Sequence, residues 1–154
     1  MPLARDIMKT DVISVSPDMT VEELGRLFIE KNISGAPVVN DMGELIGIVT
    51  ENDLVAQDKR LHIPTLLRLF DAYIALEPPS LLKDELRKMS ARTVGEICTR
   101  DAISVSEDAQ MEDVATIMTE KRIHIVPVVS KKGKNKKLMG IIGRHEIIKA
   151  TMSP

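Results

Sequence analysis

Apolar positions along the chain form two kinds of run, and their order recurs once. From Val12 to Ser16, β-branched and small residues alternate with the two-residue period of a short strand. Thr20-Val21-Glu22-Glu23 reads as a capping box, its hydroxyl taking the Glu23 amide and its carboxylate returning to the Thr20 amide. Val21, Leu24, Leu27 and Phe28 then fall at helical spacing, so one face of that helix is apolar. A short apolar run follows, Pro37-Val38-Val39, with proline at its head, where the missing N–H costs no ladder bond. Asp41-Met42-Gly43 turns the chain into Glu44–Thr50, a hairpin, and Glu51-Asn52-Asp53-Leu54-Val55 opens a second helix. The unit is strand–helix–strand–strand–helix.

The same unit returns downstream. Asp11-Val12-Ile13-Ser14-Val15-Ser16-Pro17-Asp18 comes back as Asp101-Ala102-Ile103-Ser104-Val105-Ser106-Glu107-Asp108, an offset of 90 residues. Over Asp6–Val39 against Glu96–Val129, 14 of 34 positions are identical, too many for chance patterning of apolar residues. The second helix face is Met111, Val114, Ile117 and Met118, and the second proline-headed run is Pro127-Val128-Val129. Three inserted residues shift the offset to 93, so that Leu45-Ile46-Gly47-Ile48 is matched by Leu138-Met139-Gly140-Ile141. Two copies do not make a solenoid. Neither buries both of its helices at this size, so the pair should pack together across a pseudo-twofold axis as one α/β (α+β) module. The expected divisions are a first copy over 1–56, a helical insert over 57–92 and a second copy over 93–154. In the insert, Pro64 starts a helix through Leu66, Leu67, Leu69, Phe70, Tyr73, Ile74 and Leu76. Pro78-Pro79 stops it, and Ser80 starts another. The first of these is apolar over a wide arc, either to cover its own core or to meet a second copy of the chain.

Composition narrows the class. Of 154 residues 44% are hydrophobic but only 2% aromatic, so the core is aliphatic, with nine methionines filling gaps. A net charge of −2 argues against a nucleic-acid protein held by global charge. One cysteine, Cys98, excludes a disulfide scaffold, and its match to Met8 in the first copy reads it as an apolar packing residue rather than a nucleophile. No apolar run reaches the ~20 residues of a membrane helix and no secretory signal is visible, so a cytoplasmic protein is expected. Lys131-Lys132-Gly133-Lys134-Asn135-Lys136-Lys137 reads as a solvated hairpin turn, with no aromatic platform for nucleic acid. His62, His124 and His145 lack any short metal-ligand spacing. No nucleophile elbow, Walker loop or Ser-His-Asp set is present, so no enzyme is expected.

One constellation carries chemistry. Gly47-Ile48-Val49-Thr50-Glu51-Asn52-Asp53 places a hydroxyl and a carboxylate three residues apart where a strand becomes a helix. Across that turn both face the same way, next to free amides and the positive end of the helix dipole. Thr50 would then donate to a phosphate while Asp53 accepts from both hydroxyls of a ribose. The same spacing also describes a plain helix cap.

"DVISVSPDMTVEELGRLFIEKNISGAPVVNDMGELIGIVTENDL" and "DAISVSEDAQMEDVATIMTEKRIHIVPVV…LMGIIGRHEII" closely resemble the cystathionine β-synthase (CBS) domain in tandem pairs. The resemblance implies a compact pair with a cleft on each side, a regulatory adenosyl ligand (AMP, ADP, ATP or S-adenosylmethionine) and frequent dimerisation into a disc. It makes Thr50 and Asp53 the phosphate-and-ribose motif of a main cleft completed by Ile103, His124 and Ile125 of the second copy. Ile48 and Ile103 would flank adenine. His124 would approach phosphate or base, or else serve as the half-buried partner of a backbone carbonyl, and Arg144 or His145 would add positive charge. The second cleft departs from the pattern: Gly143 and Glu146 replace Thr50 and Asp53, facing Ile13, Ser34 and Gly35. One competent cleft and one weak or empty one are expected. The implied role is a sensor that signals to a separate effector protein as a homodimer, and the competing role is a dimerisation module without ligand.

Overall fold

The computed structural model describes residues 2–60, 92–130 and 136–152. The helices expected from Pro64 and Ser80, His62, and most of the lysine-rich turn lie outside the described residues. The elements are α1 (Ala4–Ile7), α2 (Val21–Lys31), β1 (Gly35–Val39), β2 (Leu45–Thr50) and α3 (Glu51–Arg60) in the first part of the chain. After the insert come α4 (Val94–Ile97), β3 (Thr99–Arg100), β4 (Val105–Ser106), α5 (Met111–Lys121), β5 (Ile125–Val129), β6 (Leu138–Gly143) and α6 (Arg144–Met152). The two repeats are thus the same unit twice, each preceded by a single helical turn.

Several local expectations need correction. The alternating run at Val12–Ser16 is not a full strand, because only Val15 pairs, in a parallel bridge to Val38. Its counterpart β4 is two residues long. Proline does not head the next strand either. Gly35 and Ala36 precede it in β1, and Pro37 pairs with Ile48 of β2. The position is tolerated because the Pro37 carbonyl accepts from the Val15 amide at 3.0 Å, so the side of Pro37 that lacks N–H faces away from β2. At the head of α2 the Thr20 hydroxyl accepts from the Glu23 amide at 3.1 Å, which is the forward half of the expected box. Gln110, its match, makes no such bond. Both helices end alike: Asn32 and Arg122 adopt left-handed φ of 52° and 54°. The next amides, Ile33 and Ile123, then return to Phe28 and Met118 and close the last turn.

Each repeat has its own aliphatic core, and each core is finished by the other repeat's entry arm. Leu24, Phe28, Ala36, Val38 and Val49 of the first repeat pack with Val94 of α4. Val105, Val114, Met118, Val126, Val128 and Ile142 pack with Ala4 of α1. Ala4 and Val94 occupy matched repeat positions, and both are fully buried. The backbone follows the exchange. Leu3 bridges Gln110 and Lys9 bridges Ile141 in one half, while Thr20 bridges Thr93 in the other. Strand β3 adds to the first sheet, in the order β1-β2-β3, with Gly47 opposite Arg100 and Ile48 opposite Thr99. Arg5 and Asp108 tie the exchange by an ion pair of 2.6 Å at the surface.

The two hairpins also join at both ends. At their tips the Leu45 amide donates to the Lys136 carbonyl at 2.7 Å, and Leu138 donates to Gly43 at 3.0 Å. Gly43 turns there at a φ of 78°, a conformation open to glycine at no steric cost. At the other end a methyl on Gly35 would lie 2.8 Å from Ile125 Cδ1 and 3.3 Å from Thr50 Cγ2. Gly35 and Ile125 are matched positions, so the pseudo-twofold axis passes between them, and Ile125 fills the space that Gly35 leaves.

Candidate functional site

Strand β2 ends at Thr50 and α3 begins at Glu51 with no intervening loop, which fixes the hydroxyl and the carboxylate relative to one another. Asp53 Oδ2 accepts from the Thr50 amide at 2.8 Å and lies 3.3 Å from the Thr50 hydroxyl, which points its hydrogen at the carboxylate. The Glu51 amide donates to the Ser34 carbonyl at 2.9 Å. Asp53 is therefore the reverse half of a capping box, held at the first turn by a backbone amide. Its Oδ1 has no hydrogen-bond partner among the described residues. Both Thr50 and Asp53 are half-buried, with Ile125 beside Thr50.

The second repeat builds the same arrangement with different residues. Glu146 Oε1 accepts from the Gly143 amide at 2.8 Å, so the extra methylene does not prevent the cap. What is missing is the hydroxyl. Gly143 pairs with Ile125 across β5 and β6, as Thr50 pairs with Gly35 across β1 and β2. A methyl on Gly143 would lie 3.6 Å from the His124 carbonyl oxygen. Thr50, Gly35, Ile125 and Gly143 thus form a continuous row across the axis, connecting the two capping carboxylates.

The remaining expected residues are distributed along this row and beyond it. Ile48 is buried beneath the crossing of β3, whereas Ile103, one turn of chain further on, is 38% exposed. His124 and Ser34 are exposed, and Ile13 is half-buried. Arg144 and His145 are exposed on the first turn of α6, the turn that carries Glu146. Cys98 packs half-buried against the first core, its sulfur 3.8 Å from the Gly95 carbonyl oxygen. Burial pushes its thiol up, the Arg100 guanidinium opposes that shift, and the Asp53 carboxylate adds to it.

A cavity of about 400 Å³ opens at the tip end of β2. Asn40, Glu44, Leu45 and Ile46 line one side and Asp101 and Ala102 the other, with Lys136 completing it. Of these only Lys136 was singled out in the sequence, as part of the lysine-rich turn, and none was expected at a ligand site. Ala102 precedes Ile103, so the cavity lies beside one of the expected adenine walls. The one advance signal was glycine inside an apolar strand, Gly47 and its match Gly140, which marks close backbone approach.

Two pseudo-symmetric αβ units, sharing arms and presenting a strand-to-helix carboxylate on each side of their axis, define a tandem-repeat module. The CBS domain family model matches residues 4–59 and 94–153. The chain belongs to the CBS domain family, as a tandem CBS pair. It is 33% identical over 156 residues to the uncharacterized protein MJ1426 of Methanocaldococcus jannaschii, covering 96% of this chain and 90% of that protein. It is 30% identical to the chloroplastic CBS domain-containing protein CBSX1 of Arabidopsis thaliana, where 94% of this chain spans 61% of the relative. Among solved structures it resembles Arabidopsis CBSX2 in complex with AMP, at a TM-score of 0.74 and 25% identity. That match covers 98% of this chain and 96% of the other. No helix among the described residues is long and apolar enough to cross a membrane.

Proposed function

We propose that this CBS pair is a regulatory module that binds an adenosine-containing ligand in the cleft of Thr50 and Asp53 and signals to a separate effector protein. The observation that carries the reading is the half-buried Asp53 carboxylate, fixed through one oxygen by the Thr50 amide with the other oxygen unpartnered among the described residues. A fixed, ionised acceptor beside a helix start suits a vicinal diol. Ile48, Ile103 and Ile125 supply apolar surface, and His124, Arg144 and His145 supply polar groups for phosphate. The AMP complex of CBSX2 supports an adenine nucleotide. A ligand spanning both repeats favours one relative packing over another by its differential affinity, which is the coupling a sensor needs.

A homodimer is part of the same reading, resting on the CBS-pair resemblance, and exposed Val55 on α3 and Ile148 and Met152 on α6 are apolar positions that a second copy would cover. Calorimetric titration with AMP, ADP, ATP and S-adenosylmethionine tests the ligand reading, with saturation near one ligand per chain expected. Failure of all four to bind, with a dimer in sedimentation, establishes the dimerisation module instead.

A further inference from the structure

We propose that Gly47 sets the width of the cleft that holds Asp53, by letting the arm of residues 92–100 cross β2 at backbone contact, and that Gly140 does the same for the opposite cleft. The inference rests on the ligand reading above, and adds two positioning residues that touch no ligand. Gly47 lies opposite Arg100, and its neighbour Ile48 lies opposite Thr99. A methyl at position 47 would overlap the Thr99 carbonyl oxygen, and would stand 3.1 Å from the Thr99 carbonyl carbon and 3.3 Å from Cys98 Sγ. Carbonyl atoms of a paired strand have no rotamer by which to escape, so the arm must lift by about 1 Å to regain ordinary contact.

The lift has one direction in which to travel. Upstream the arm is anchored, because Val94 is fully buried in the first core and Thr93 bridges Thr20. Downstream it leads directly into Asp101 and Ala102, which wall the cavity, and then into Ile103. Displacement at Thr99 therefore moves that wall away from β2 and leaves the Thr50–Asp53 cap untouched. The pseudo-symmetric crossing is equally close. A methyl on Gly140 would lie 2.8 Å from the Lys9 carbonyl oxygen and from Met8 Sδ, and that arm leads to Ile13 of the second cleft. Each cleft thus takes one wall from a strand of one repeat and the other from an arm anchored in that same repeat's core.

The test compares wild type, Gly47→Ala, Gly140→Ala, Asp53→Ala and the Gly47→Ala/Asp53→Ala double variant. AMP binding is read by calorimetry, and the ligand-free proteins by amide NMR. Gly47→Ala should weaken AMP about tenfold and shift the amide signals of Thr99–Ile103, while Gly140→Ala leaves AMP affinity within about twofold. The double variant should lose about the sum of the two single losses, because the moved wall leaves the Thr50–Asp53 cap untouched. Gly47→Ala binding AMP like wild type, or a double variant that binds no more weakly than Asp53→Ala alone, overturns the proposal. If Gly47→Ala does not fold, the Gly140→Ala spectrum decides. Shifts confined to Lys9–Ile13 and β6 support the proposal, and shifts reaching Thr99–Ile103 overturn it. A wild type that binds no adenosyl ligand refutes the functional reading instead, and the ligand-free spectra then still decide whether each glycine positions its arm.

Discussion

Removing the Asp53 carboxylate separates a ligand site from a helix cap, because the two roles load different measurements. In Asp53→Ala the Thr50 amide loses its 2.8 Å partner at the first turn of α3. Asp53 is half-buried, so the loss is worth about 1 kcal/mol, or about 2–4 °C in Tm for a domain of this size. A ribose held through both hydroxyls loses two charge-assisted bonds of about 1.5–3 kcal/mol each, so affinity should fall at least about tenfold. Asp53→Asn sharpens the comparison. Its amide oxygen still accepts from the Thr50 amide, so stability should stay near wild type, while the charge that strengthens both ribose bonds is gone. Thermal melts and calorimetry with AMP on the three proteins measure both. If both variants bind AMP like wild type while Asp53→Ala melts early, Asp53 caps α3 and does nothing else, and the sensor reading falls.

Glu146→Ala should lower the melting temperature about as much as Asp53→Ala, because Glu146 caps α6 through the Gly143 amide, yet leave AMP affinity at the Asp53 cleft unchanged; the same two assays check it. Because the folded Cys98 thiol holds its proton more tightly than a free one, stability should be lost as pH rises past the ordinary thiol value of about 8.5. Denaturant melts should show a constant stability difference between wild type and Cys98→Ser below that value, with wild type losing stability relative to the variant above it. Val94→Ala should cost about 2 kcal/mol and still give a single unfolding transition, since Val94 finishes a core to which its own repeat does not belong. Two separated transitions would show that the exchanged arms do not couple the halves.

The repeat made most of this legible. Matching Asp101–Ser106 to Asp11–Ser16 and the helix faces to one another gave the order of elements, the hairpins and the position of the Thr50–Asp53 turn. The pattern could not show how short the first strand is. Alternation at Val12–Ser16 says which residues fit a pleat, but a strand extends only as far as a neighbouring backbone runs beside it, and only Val15 meets one. The second cleft was read as weak because Gly143 lacks the Thr50 hydroxyl and Glu146 is one methylene longer than Asp53; the length does not weaken the cap. The cap is set instead by a backbone amide, which every residue but proline possesses, so Gly143 supplies it as well as Thr50 does. Arm exchange was hidden for a different reason: Ala4 and Val94 look alike in either arrangement, since a pattern records that a residue is buried and not against which repeat.

That exchange bears directly on how a ligand in one cleft would be felt at a distance. Were each repeat self-contained, a ligand between them would change only the contact at the axis around Gly35 and Ile125. Here the wall bearing Ile103 is continuous with β3, which is hydrogen-bonded into the opposite repeat's sheet and anchored there by Val94. Drawing Ile103 toward Ile48 therefore pulls on an arm whose far end lies in the core beneath α2. The equivalent arm ties Ile13 to the core beneath α5 through Lys9 and Ala4. On the proposed ligand reading, closure of one cleft would also shift the packing of the opposite helix layer, which is how a small ligand would alter a surface it does not touch.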